Sequence, residues 1–303
     1  MGQSTIDIRR RIKSVGNTKK ITKAMELVSA AKMRKATASV LSSRNYSSLA
    51  WRLVRRLAGK TDAKLHPLLK SKKAVKKIGL LLISSNKGLC GGFNSHIIAK
   101  AVNYVKKNSD RDVAVELIVL GKKGGSFMAK RNYQLGADFE KLDIVPDITG
   151  IRPIAKLLME GFLSGQYDKV AVAYTDFVSI LVQKPRILEL LPLDSEMDED
   201  LGEIEGTSKE RGAKSEEQIE YLFEPSPEEV LKNLLPRLIE TQIYQAILES
   251  DAAEHSARMV AMRNATDAAK EMIDDLTLVF NKARQAAITS ELADISGGRA
   301  AVE

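Results

Sequence analysis

The chain has 303 residues, with 47 Lys+Arg against 39 Asp+Glu (formal net charge +8), one Cys, three His and 5% aromatics. A lone Cys90 excludes a disulfide framework and a Cys-based zinc site, and His66, His96 and His255 are too scattered for a His-rich metal centre. No apolar run reaches the roughly 18 residues of a membrane span. The opening MGQSTIDIRRRIKSVG lacks a secretory apolar region, so a reducing compartment is expected.

The first element is predicted to be one long helix, residues 1–59. Ser4 and Asp7 resemble a capping box with Asp in place of Glu, and no Pro occurs before Pro67. Ile8, Ile12, Val15, Ile21, Met25 and Val28, then Leu49, Leu53 and Leu57, recur at helical spacing, and Gly59 is a stop signal. About 55 residues at 1.5 Å each make roughly 80 Å, too long to pack inside one small domain.

Residues 75–193 change character. Lys76–Ser85 reads as a buried strand, Asn94–Lys107 as a helix and Val113–Gly121 as a second strand. Lys122–Arg131 and Ile154–Leu163 read as helices, followed by a third strand, Lys169–Tyr174. This alternation predicts βαβ units with a mostly parallel, Rossmann-like sheet. Val178–Val182 and Ile187–Leu191 are expected to add an edge hairpin, interrupted by Pro185. Residues 194–225 are acidic, Gly/Ser-rich and nearly devoid of apolar side chains, which predicts an exposed loop with a short returning strand at Tyr221–Phe223.

A second long helix is predicted over 226–298. Ser226-Pro227-Glu228-Glu229 is a start signal, Pro236 marks a kink or restart, and Gly297-Gly298 an end. Ala253, Ala257, Ala261, Ala265, Ala268, Met272, Leu276, Val279, Ala283 and Ala286 keep a three/four rhythm. Neither helix can bury its stripe alone. With the α/β domain between them in sequence, the expected solution is an antiparallel two-helix coiled coil.

Charge is polarised along the chain. Residues 1–77 hold 21 Lys+Arg and 3 Asp+Glu (+18), and 78–193 hold 15 and 11 (+4). Residues 194–220 hold 3 and 11 (−8), and 221–303 hold 8 and 14 (−6). A basic front and an acidic insert point to charged partners.

Chemistry is scarce. Ser84–Asn94, SSNKGLCGGFN, follows a strand and precedes a helix, but it fits neither G-x-G-x-x-G nor a P-loop, and Gly59-Lys60-Thr61 lacks the preceding Gly. It reads as a tight turn that needs small residues. Cys90 within it has no orienting base, His96 included, and Asp198-Glu199-Asp200 lacks calcium-loop spacing. The stretches RRRIKS and KKITKAM allow a second reading, a basic coiled-coil nucleic-acid-binding protein. Against it, no aromatic precedes Tyr46 to stack on bases.

Three blocks carry a family resemblance: IRRRIKSVGNTKKITKAMELVSAAKMRKA (Ile8–Ala36), the turn NKGLCGGFN, and ESDAAEHSARMVAMRNATDAAKEMIDDLTLVFNKARQAAITSELADISGG (Glu249–Gly298). In this order they resemble the gamma subunit of F-type, H+-transporting ATP synthases of bacterial type. The resemblance implies a non-catalytic central rotor stalk, one copy per complex. Its coil would turn inside a hexamer of alpha and beta subunits, and its α/β foot would join the epsilon subunit and the membrane c-ring. It implies no cofactor on this chain, with Mg-ATP and ADP held by alpha and beta, no nucleic acid, and a peripheral place on the cytoplasmic face of the plasma membrane. It also implies beta-subunit contacts at Met25, Arg258, Arg284, Gln285 and Thr289. Two departures stand out. Arg299 follows Gly298 where the family usually has Ala, and the acidic insert lacks the two Cys of the plant thiol-regulatory insert, so dithiol control is excluded.

Overall fold

The computed structural model describes residues 5–60, 67–70, 72, 74–141, 148–193 and 227–300. The predicted cap at Ser4, the acidic insert with its returning strand, and Ser226 lie outside the described residues. Two long helices flank the α/β segment in sequence, α1 at Thr5–Lys60 and α5 at Pro227–Ala300. Between them come β1 (Lys77–Ile83), α2 (Phe93–Ser109), β2 (Ala114–Leu120), α3 (Lys122–Lys130) and β3 (Leu135–Phe139). Then follow α4 (Ile148–Leu163), β4 (Lys169–Phe177) and β5 (Gln183–Leu191).

The five strands form one sheet in the order β3-β2-β1-β4-β5. The first four are parallel and β5 runs antiparallel to β4. Because β1 is paired on both edges and covered on both faces, it reads as an apolar run. Leu81 and Ile83 face a cluster with α4 and residues Leu235–Ile247 of α5, while Ile78, Leu80 and Leu82 face α2 and α3.

Several expectations are corrected. β3 was not foreseen: it is a short edge strand containing Gly136 and Asp138, residues depleted in strands. Val178–Val182 is not a strand; it turns β4 into β5, with the Ser179 N–H donating to the Val182 carbonyl at 3.0 Å. So short a connection permits only an antiparallel return. Pro185 lies inside β5, opposite Thr175, which an edge strand tolerates. α4 begins six residues earlier than predicted and carries Pro153. α5 runs unbroken past Pro236 and through Gly297-Gly298.

The chain divides into two compact units, one of Met1–Ser29 with Met259–Glu303 and the other of Ala30–Arg258. In the first, α1 and α5 pair antiparallel. Thr22 Oγ1 and Thr266 Oγ1 are 2.8 Å apart, and Arg263 Nε donates to Glu26 Oε1 at 3.4 Å. Among the covered positions of this unit, Ile8, Ile12, Val15, Lys19, Thr22, Glu26 and Ser29 on α1, and Met262, Thr266, Ala269, Ile273, Leu276, Phe280 and Ala283 on α5, form the regular run. Both sets step by alternating three and four residues, a heptad seam. The predicted stripe drifts off it by one residue. Ile21 and Val28 are 61% and 57% exposed, and Met272 and Val279 lie outside as well. Polar Thr22, Glu26 and Ser29 hold the seam where an apolar search cannot see it.

In the second unit α1 and α5 also meet. Ala36 and Val40 join Leu248, Ala252 and Ala253 in a cluster with Cys90, Phe93 and Phe177. Among the described residues no helix is long and apolar enough to cross a membrane.

Candidate functional site

In an open parallel sheet, ligands bind beyond the carboxyl ends of the strands, where the strand order reverses. Here that point lies between β1 and β4. It is filled by the chain itself, since the cluster of Cys90, Phe93 and Phe177 with Ala36, Val40, Leu248, Ala252 and Ala253 occupies it.

The turn after β1 is built from its own side chains. Leu89 and Gly91 adopt positive φ, 60° and 55°. Asn94, in the first turn of α2, accepts from the Ser85 N–H at 3.1 Å and donates to Ser85 Oγ at 2.7 Å. Its amide also lies 3.2 Å from Cys90 Sγ, so the thiol sits in a closed turn. Ser84 Oγ receives the Gly124 N–H at 2.9 Å, which docks the start of α3 beside β1. The sequence reading of this stretch as a small-residue turn agrees with that geometry.

Polar side chains of α5 meet these strand ends. The Thr175 N–H donates to Ser250 Oγ and the Phe177 N–H to Glu249 Oε2, both at 3.1 Å. Ser256 Oγ donates to the Ile180 carbonyl at 2.7 Å. Arg258 donates through Nη2 to the Lys87 carbonyl (3.1 Å) and through Nε to the Gly88 carbonyl (3.3 Å). Lys141, just past β3, is buried, with its ammonium 2.6 Å from Asp251 and 2.8 Å from Glu254; Glu254 also binds Arg258 at 2.8 Å. Burial acts to depress the Lys141 ammonium, but the two carboxylates more than reverse it and leave it above its ordinary value. Glu254 feels the converse: burial works to raise it, and Lys141 and Arg258 bring it below the usual carboxylate range. Burial pushes the neighbouring His255 down to about 4, so its ring is neutral. Sequence reasoning missed this cluster. Lys141 lies more than a hundred residues from Asp251 and Glu254, and the local signal is the run of polar residues inside the Ala-rich ESDAAEHSAR.

The residues singled out for partner contact are dispersed. Arg284, Gln285 and Thr289 lie exposed on α5 in the first unit, Thr289 Oγ1 donating to the Gln285 carbonyl at 2.9 Å. Met25 is half-buried on α1 of the same unit, beside Glu26, whose carboxyl Lys23 and then Arg263 hold below its ordinary range against burial. Arg258 belongs to the other unit and is buried, its guanidinium spent on internal partners. Exposed apolar side chains continue along α5 at Leu278, Ile288, Leu292 and Ile295. No group of three or more His, Cys, Asp or Glu able to hold a metal occurs among the described residues.

Comparison with known proteins gives the family of the chain. The model of the ATP synthase family matches residues 4–302. The chain is 43% identical over 300 residues to the ATP synthase gamma chain of Roseiflexus castenholzii, covering 99% of this chain and 98% of that one. It is 44% identical over 297 residues to the ATP synthase gamma chain of Pelotomaculum thermopropionicum, covering 98% of each. Among solved structures, it is similar to a chain of the Tetrahymena thermophila mitochondrial ATP synthase central stalk and c-ring (TM-score 0.61, 25% identity, 81% of this chain and 99% of that chain). It shares its fold with a chain of the Euglena gracilis mitochondrial ATP synthase OSCP/F1/c-ring assembly (TM-score 0.64, 19% identity, 98% and 94% covered). Nothing in these likenesses supports the nucleic-acid-binding alternative.

Proposed function

The chain belongs to the family of ATP synthase gamma chains, and from that premise we propose that it is the central rotor stalk of an F-type ATP synthase. It couples ion-driven rotation of a membrane ring to conformational change at catalytic beta subunits, for synthesis or hydrolysis of ATP. The observation that carries the reading is the match of this family over residues 4–302 together with a coil whose seam closes on itself while apolar and cationic side chains remain outside. A shaft needs that combination: paired helices to carry torque, and a side wall free to meet each beta subunit in turn. Exposed ion pairs, worth about 0–1 kcal/mol each, suit contacts that break and reform.

In this reading the chain is non-catalytic and carries no cofactor, and Mg-ATP and ADP bind on alpha and beta subunits. The strand-end crevice filled by α1 and α5 supports that assignment. The partners are one alpha/beta hexamer, the epsilon subunit and the c-ring, with one copy of this chain per complex. Its place is peripheral, on the cytoplasmic face of the plasma membrane and attached only through the complex. Met25, Arg284, Gln285 and Thr289 face beta subunits as the hexamer encloses the coil; their partial or full exposure supports this. Arg258 serves partner contact indirectly in this reading, through the Lys87–Gly88 turn that it holds. The test is Met25→Lys in the assembled complex. Hydrolysis should persist while ATP-driven ion pumping falls, and normal pumping per ATP would remove Met25 from the contact.

A further inference from the structure

We propose that the ten residues Glu249–Arg258 of α5 form the joint that locks the shaft helix to the α/β domain against rotation, with Lys141 as the residue that fixes it. This inference rests on the rotor reading and deepens it, since a shaft transmits torque only if it cannot turn within its own foot.

Three observations converge on this segment. The first is its reach. Glu249 and Ser250 hold backbone N–H groups at the end of β4, Ser256 holds the β4–β5 turn, Arg258 the β1–α2 turn, and Asp251 and Glu254 the Lys141 ammonium beyond β3. The end of β2 is tied in as well, because the Asn86 side chain donates to the Lys141 carbonyl and accepts from the Lys122 N–H.

The second is the kind of contact. The apolar part of this seat sets Ala252 and Ala253 of α5 against Ala36, Val40, Phe93 and Phe177. Apolar burial is non-directional: it opposes separation of the helix from the domain without selecting one rotation as sharply as directional bonds do. Hydrogen bonds weaken steeply once bent, so a ring of them around the helix resists tangential displacement.

The third is Lys141 itself. Its side chain is 7% exposed and both carboxylates that hold it come from α5. A buried ion pair contributes little net stability compared with an apolar replacement of the same volume. What it adds is a single permitted geometry, and here that geometry pins the two α5 carboxylates to one point of the α/β domain.

The experiment uses the whole complex in sealed vesicles, comparing wild type with Lys141→Met and Lys141→Arg. ATP hydrolysis and ATP-driven proton pumping are measured together, with and without an opposing proton gradient. Expected for Lys141→Met is retained hydrolysis with a loss of protons pumped per ATP, a loss that deepens against the gradient, and recovery in Lys141→Arg. Should Lys141→Met fail to assemble, Glu254→Gln, which keeps the side-chain size, is read the same way. A pumping-to-hydrolysis ratio equal to wild type, including a parallel fall of both activities, overturns the joint. A complex rebuilt without this chain separates the two levels. If it still pumps, the rotor reading fails; if pumping needs the chain and Lys141→Met is fully coupled, only the joint fails.

Discussion

Replacing Lys141 by Met in the full chain removes one ammonium and leaves the Asp251 and Glu254 carboxylates facing the vacated place, their side chains only 8% and 9% exposed. Breaking a buried pair by deleting one partner costs about 3–5 kcal/mol, because the remaining charge stays buried. Met keeps most of the apolar stem, so the cavity contribution is small. Glu254 keeps Arg258 at 2.8 Å, which places the loss at the lower end, about 3 kcal/mol. Urea unfolding followed by circular dichroism reads this as a lower midpoint at unchanged slope. The pH dependence gives a second signature. In the wild type Glu254 is held below its ordinary value, so its contribution is present above that value and is lost as pH falls through the depressed one. Removing Lys141 takes away the largest of the charges that hold Glu254 down, so this contribution is smaller in the variant and the deficit should shrink as pH falls through the wild type's depressed value. A deficit below about 1 kcal/mol, or one that does not change with pH, would refute the reasoning.

Other expectations follow from the same geometry. Asp168 accepts from the Lys76 and Lys77 N–H groups and from Lys72, and Lys72 foremost holds its carboxyl down to about 2. Acid titration of the wild type should thus show a loss of about 2 kcal/mol as pH falls from near 4 towards 2, a loss that Asp168→Asn lacks. Gly161→Ala would place a Cβ 2.5 Å from the Tyr167 ring. Although Ala gains about 1 kcal/mol in helix propensity, overpacking by about 1–3 kcal/mol should win, and Tyr167→Leu should relieve it, as judged by thermal unfolding. Ala at Arg284, Gln285 or Thr289 should leave chain stability within about 0.5 kcal/mol, since these side chains are exposed. A change in steady-state ATP hydrolysis by the complex then reports partner contact.

Much of this was legible along the chain, for reasons that particular residues make plain. A strand buried on both faces must be apolar throughout, so Ile78–Ile83 announced itself. The Pro227 start of α5 and the turn chemistry of Asn86–Asn94 are local and carried their own signals. The two long helices and their antiparallel pairing followed from length and order alone. β3 was hidden because an edge strand with one exposed side needs no apolar run, and Gly136 and Asp138 suit it. The seam was misread by one residue because Thr22, Glu26 and Ser29 occupy it, with Thr266 and Arg263 supplying polar partners across the pair.

The sequence by itself therefore determined the kind of object, a mostly parallel α/β domain with two long terminal helices, and through three motif blocks its family. Those properties rest on local propensity, periodicity and order, which short windows contain. Only the tertiary structure decided what those helices do to the domain. It set α1 and α5 into the crevice where such sheets hold ligands, spent Arg258 on two backbone carbonyls, and brought Lys141 to Asp251 and Glu254. Those choices depend on charges that are distant in sequence and costly to bury apart, and no window of the chain contains both partners.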